Sequence, residues 1–305
     1  MRIATSMISQ SALSDLQRSQ RSIFDASAQT ASQNKATDLK GYGRDAETLV
    51  SSQRLLARVE AQRAAGVELQ TRLEVQDIAL SRAGDAITQL KQALLEGVAL
   101  DNGDAIESEL QQAFATIKDM FNMKHGGQYI FGGTLNDREP VIADTLADLA
   151  ANPLANAFEQ DAEAQEVALD DYRNVKAGPI AADAANDIFD VIRNLKIFHD
   201  GVNGPFSGDI TDAQSAALTT EISRLDDIYA DLISVQGENG RVLKEAEMSV
   251  DRQTASANAL EQTVLGITDV DLAEVAVRLN QAELSYQASA SVFNTLRGLS
   301  LLDVL

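Results

Sequence analysis

Apolar residues recur along most of this chain at alternating spacings of three and four. Leu69, Leu73, Gln76, Leu80, Ala83, Ile87, Leu90 and Leu94 keep that rhythm and predict one continuous seam along a long helix. Asp101 to Asp104 (DNGD) breaks it with turn-forming residues. The spacing resumes at Ile106, Leu110, Ala113, Ile117 and Met120, a second helix for which Asp104 is the expected cap and Glu107 its capping-box partner. In the C-terminal third, Leu218, Ile222, Leu225, Tyr229 and Leu232 form another seam. It continues more weakly through Val250, Ala257, Leu260 and Val264, with Gly237 and Gly240 expected to loosen it between. The last helix has the clearest heptad of all, in Leu272, Val275, Leu279, Ala282, Tyr286, Ser289, Phe293 and Leu296, with Thr268 and Asp271 as its capping pair.

At the N-terminus, Ile3, Met7, Leu13, Leu16, Ile23 and Phe24 predict a looser amphipathic helix that stops in the polar, glycine-bearing stretch from Asn34 to Gly43. Each chain end is thus a helix with one apolar stripe, too short to be stable alone in water. The simplest partner for each stripe is the other. If the ends pair, the next segments inward should pair as well, giving a long rod of antiparallel helices with both termini at one end.

The middle of the chain is different in kind. Between Val141 and Asp212 there are 14 Asp/Glu against four Lys/Arg, and three of the four prolines fall in this stretch. It reads as a solvent-facing insertion with short strands near Glu166 to Val175 and a helix over Asp183 to Phe198. The expected fold class is therefore mainly α, a coiled-coil-like rod with a small β-hairpin and an inserted central α+β domain. Three domains follow: a terminal helical domain, 1–45 with 266–305; a helical rod domain, 46–140 with 206–265, carrying the hairpin near 126–140; and an acidic surface domain, 141–205.

Composition narrows the function classes. The 305 residues include no cysteine, so thiol nucleophiles, disulfides and cysteine metal sites are excluded. A net charge of −21 with no cluster of Lys/Arg argues against nucleic acid. No stretch approaches the length needed to cross a bilayer, and the first twenty residues are interrupted by Asp15 and Arg18, so neither membrane insertion nor a cleaved signal peptide is expected.

His125 and His199 are the only histidines. Asp119 with His125, or Asp187 and Asp190 with His199, can be drawn as ligand sets, but acidic helices produce such sets by chance. Consecutive carboxylates such as Asp170 and Asp171 point about 100° apart on a helix and cannot share one proton. No catalytic residue, metal site or cofactor site is expected.

The chain ends carry a further signal. The opening MRIATSMISQSALSDLQRSQ and the close ITDVDLAEVAVRLNQAELSYQASASVFNTLRGLSLLDVL resemble the flagellin family, above all in Ile267, Asp269, Asp271, Ala273, Glu274, Leu279, Gln287, Ala288, Ala290 and Leu299 to Leu302. GGQYIFGGT, Gly126 to Thr134, is similar to the short hairpin entry that some members of that family place after the second long helix. Here Gly132 and Gly133 suit a tight turn, and Tyr129, Ile130 and Phe131 a strand. The resemblance covers roughly 1 to 140 and 210 to 305 and fades in the acidic middle.

What the resemblance implies is a structural subunit of the bacterial flagellum, secreted through the flagellar export apparatus with a chaperone. It would connect the hook-side hook-associated protein to flagellin and assemble with copies of itself. Its polymerisation interface would be Ile3, Met7, Leu13, Leu16, Ile23, Leu272, Val275, Leu279, Tyr286, Phe293, Leu296, Leu299 and Leu302, with Leu301 extending the apolar end. Two other readings stay open: a flagellin that forms the filament itself, and a cytoplasmic coiled-coil adaptor or signalling module.

Overall fold

The computed structural model describes residues 2–302 except 160 and 162, and the side chains of 2–6, 8, 9 and 296–302 lie outside what is described. The chain is mainly α. Its helices are α1 (Arg2–Ser32), α2 (Ala46–Leu100), α3 (Ile106–Phe121), α4 (Leu146–Ala151), α5 (Ala181–Asp200), α6 (Asp212–Thr268) and α7 (Leu272–Leu302). Two antiparallel hairpins complete it, β1 (Lys124–His125) with β2 (Gln128–Tyr129), and β3 (Glu166–Asp170) with β4 (Arg173–Lys176). The chain divides into two compact units, Met1–Val59 with Ala255–Leu305, and Glu60–Thr254.

In the second unit, α2 and α6 run antiparallel. Asn239 Nδ2 donates to the Leu73 carbonyl at 2.9 Å, Gly66 faces Val250, and Gly84 faces Tyr229 and Leu232. The heptad residues Leu69, Leu73, Gln76, Leu80, Ala83, Ile87, Leu90 and Leu94 are all buried. Burial of Leu218, Ile222, Leu225 and Leu232 on α6 matches them, but Tyr229 is 41% exposed and Ile228 takes its place in the core. Gly237 and Gly240 do not loosen α6, which is continuous through both. A Cβ at either would meet nothing, so both sit on the outer face and carry only the propensity cost of glycine.

The α2–α6 pair shares one core with α3, α4 and α5. Phe114 and Phe189 pack with ring centres 5.7 Å apart, and Phe121 and Phe131 at 5.0 Å. Residues 141–205 therefore do not form a core of their own: Val141, Leu146, Leu149, Ile188, Val191, Ile192 and Leu195 complete that of α2, α3 and α6. The physical reason lies in α5, whose apolar stripe is too wide to leave in water and closes against α3. The β3–β4 hairpin is seated on α2 and α6 through a smaller cluster of Leu69, Leu73, Leu169, Ala177, Val242 and Ala246.

Three local expectations change. Asp104 does not cap α3; its carboxylate accepts from the Gly208 amide at 2.7 Å, and Glu107 instead pairs with Lys196 at 2.9 Å. Long-range partners outcompete the local capping box there. Thr268 closes α6 rather than opening α7, its hydroxyl donating to the Val264 carbonyl, while Asp271 alone caps α7 by accepting from the amides of Ala273 and Glu274. The first hairpin turns at Gly126 and Gly127, with φ of +58° and +83°, as a two-residue turn demands. Ile130 and Phe131 leave the strand and enter the core.

Candidate assembly surface

The first unit brings the two chain ends together. α1 and α7 pack along their lengths, antiparallel, with an isolated antiparallel bridge between Asn34 and Asp269 at the end where the two helices meet their connecting segments. Lys35 N donates to the Thr268 carbonyl at 2.8 Å, and Val270 N to the Gln33 carbonyl at 3.2 Å. Lys35 Nζ reaches the Gly266 carbonyl at 3.2 Å, and the Arg278 guanidinium donates to Gln29 Oε1 at 3.1 Å. Asp38 accepts from Gly41 N and starts a short 3₁₀ segment, Leu39–Asp45, that returns the chain into α2.

The contact between α1 and α7 is narrow. On α7, Val275 is fully buried and Ala282 nearly so, with Leu279, Tyr286 and Phe293 half-buried; Leu272, at the helix start, is 46% exposed. On α1, the buried positions are Ala12, Ser19 and Ala26, seven residues apart, with Leu16 and Ile23 half-buried between them. These five alternate at spacings of four and three, the heptad seam of a close helix pair. Small side chains at every second step let the backbones approach.

Met7 and Leu13, expected in that seam, lie outside it and are 67% and 43% exposed. Leu13 and Phe24 sit roughly 110° round the helix from the seam. The side chains of Ile3, Leu296, Leu299, Leu301 and Leu302 lie outside the described residues. Ala12, Ser19 and Ala26 were missed because small and weakly polar residues carry little hydrophobic signal; their regular seven-residue interval was the signal available.

α7 also has a second apolar stripe. Val277, Leu284 and Val292 are spaced by seven and eight residues, which places them on one face roughly 150° from the seam. They are 58%, 66% and 51% exposed. A helix that is apolar on opposite sides is suited to burial on both.

Charge is divided as sharply as the fold. The first unit holds 10 Lys/Arg against 11 Asp/Glu, a net −1, whereas the second holds 15 against 35, a net −20.

The two histidines serve structure. His125 Nε2 lies 3.2 Å from Glu68, and His199 accepts from the Phe206 amide at 3.3 Å while its other nitrogen lies 3.3 Å from Glu107. Among the described residues no group of His, Cys, Asp or Glu is placed to hold a metal ion, and no helix is long and apolar enough to cross a membrane.

The fold of this chain, with its paired chain-end helices, long α2 and α6 and two short hairpins, has counterparts among solved structures. Two solved structures show the likeness. A protein from Vibrio parahaemolyticus assigned as flagellar hook-associated superimposes with a TM-score of 0.55 at 15% identity, over 73% of this chain and 96% of that one. FlgL of Bacillus cereus superimposes with a TM-score of 0.54 at 16% identity, over 70% and 99%. No protein-family model and no curated protein matches the chain.

Proposed function

We propose that this chain is a structural subunit of the bacterial flagellum, the hook–filament junction protein that connects the hook-side proteins to the flagellin filament. The observation that carries the reading is the apolar back of α7: Val277, Leu284 and Val292 remain in water after α1 has covered the opposite face. A second copy, or a neighbouring subunit with matching chain-end helices, offers the cover they lack. The likeness in fold to FlgL supports the same reading.

In this reading the first unit polymerises. Its near-zero net charge adds no repulsion of its own between copies, while the acidic second unit keeps the assembly solvated. The partners are further copies in a ring or helical layer, flagellin on one side, a hook-associated protein on the other, and an export chaperone with the flagellar export apparatus before assembly. The role is mechanical and not catalytic, and its place is the extracellular flagellum.

Deletion of the gene tests the proposal by electron microscopy of the cells and gel analysis of the medium. Hooks without filaments, with unpolymerised flagellin shed into the medium, are the expected result. Filaments that are only fewer or shorter would favour a filament flagellin instead, and intact flagella would refute both.

A further inference from the structure

The uneven division of charge bears on what the chain joins. In the second unit several of the 15 cations are already engaged by carboxylates of the same unit: Lys91 with Asp226, Lys118 with Asp144, Arg138 with Glu159, Arg173 with Glu245, Lys196 with Glu107 and Asp200, and Arg224 with Asp190 and Glu221. The surplus carboxylates, Asp119, Asp209, Asp227, Asp231, Glu247 and Asp251 among them, are exposed and outside these pairs. The two units are one covalent chain, so copies that join through the first unit concentrate the −20 of the second.

We propose that the acidic second unit sets an electrostatic limit on self-association, so that this chain pairs with a less acidic subunit in preference to stacking on further copies of itself. The inference rests on the assembly reading above and adds the kind of partner favoured. The apolar attraction of the first unit is insensitive to modest salt, because uncharged faces have nothing to screen. Repulsion between the second units is long-ranged and falls as salt shortens the Debye length. A subunit with fewer carboxylates in the matching unit escapes the repulsion and keeps the attraction. A thin layer between unlike neighbours is the arrangement such a balance favours, and a long homopolymer is what it opposes.

The test is sedimentation equilibrium of the full-length chain at pH 7.5 in about 20 mM and about 200 mM NaCl, where the Debye length falls from roughly 20 Å to roughly 7 Å and salting-out is still negligible. Self-association is expected to strengthen about tenfold or more across that range. A variant carrying Asp119→Asn, Asp209→Asn, Asp227→Asn, Asp231→Asn, Glu247→Gln and Asp251→Asn is expected to associate more tightly than the parent in low salt. It should also show a flatter salt dependence. Association that weakens or stays level with salt, or that the six substitutions leave unaltered, would overturn the electrostatic limit while leaving assembly intact. Absence of association in either protein at either salt would overturn both this inference and the assembly reading beneath it.

Discussion

Replacing Val277, Leu284 and Val292 together by Gln should abolish self-association while leaving the α1–α7 pair folded. The three side chains are 58%, 66% and 51% exposed in the single chain. Full burial of a Val or Leu side chain is worth about 1.5–3 kcal/mol, so covering what remains exposed would supply about 1–2 kcal/mol each, or about 3–5 kcal/mol for the stripe. At about 1.4 kcal/mol per tenfold, the dissociation constant should rise roughly 100-fold to 5,000-fold. The fold should tolerate the change, because Gln is close to Leu in helix propensity and none of the three lies in the buried seam. Surface substitutions of this kind alter stability by less than about 1 kcal/mol. Sedimentation reads the first half of the claim and far-UV circular dichroism the second. Val275→Gln is the contrasting control: that position is fully buried, and polar substitution there should unfold the helix pair itself. A triple variant that associates like the parent would refute the assignment of this face, and one that unfolds would show that the stripe already has cover within the chain.

Three further outcomes follow from the geometry. Ala26→Leu, at a position 3% exposed in the α1–α7 seam, should cost about 1–3 kcal/mol by overpacking, and a loss below about 0.5 kcal/mol in urea denaturation would mean that the helices are not in close contact there. Gly178 has φ of +85° and its Cβ would meet Gln76, whose amide donates to the carbonyls of Ile130 at 2.7 Å and Ala177 at 3.3 Å. Gly178→Ala should therefore destabilise by about 2–5 kcal/mol, and Gln76→Ala should relieve part of that loss; strictly additive effects would contradict the contact. The Glu107 carboxyl is held below its usual range, chiefly by the hydrogen bond from Lys196, so the folded chain binds fewer protons there than the unfolded chain. Its contribution is present above the ordinary carboxyl value of 4.5 and is lost as pH falls through the depressed one, so Glu107→Gln should flatten the fall in urea midpoint below about pH 4.5; an unchanged acid limb would count against the pairing.

Much of the helical framework could be read from residue spacing alone. Leu69 to Leu94 needed no neighbour to announce their seam, because a 3.6-residue helix can hide residues at three- and four-residue steps on only one side. The break at Asp101 to Asp104, the β3–β4 hairpin and the stripe of α5 were legible for the same local reason. The α1 seam was not. Two stripes, one through Leu13 and Phe24 and one through Leu16 and Ile23, compete in its sequence, and only the close approach of α7 selected the side bearing Ala12, Ser19 and Ala26. The cap at Asp104 failed similarly, since the carboxylate had a choice between a local amide and that of Gly208, distant in sequence but adjacent in space.

Spacing within single segments is therefore enough to place the long helices and to show that both chain ends need a partner. Tertiary structure decided which face each end commits to its partner within the chain, and hence which stripe of α7 is left over. Periodicity is a property of one helix and is written in one segment; the choice of contact depends on how closely two backbones can approach, and that is set jointly by small residues lying far apart in the chain.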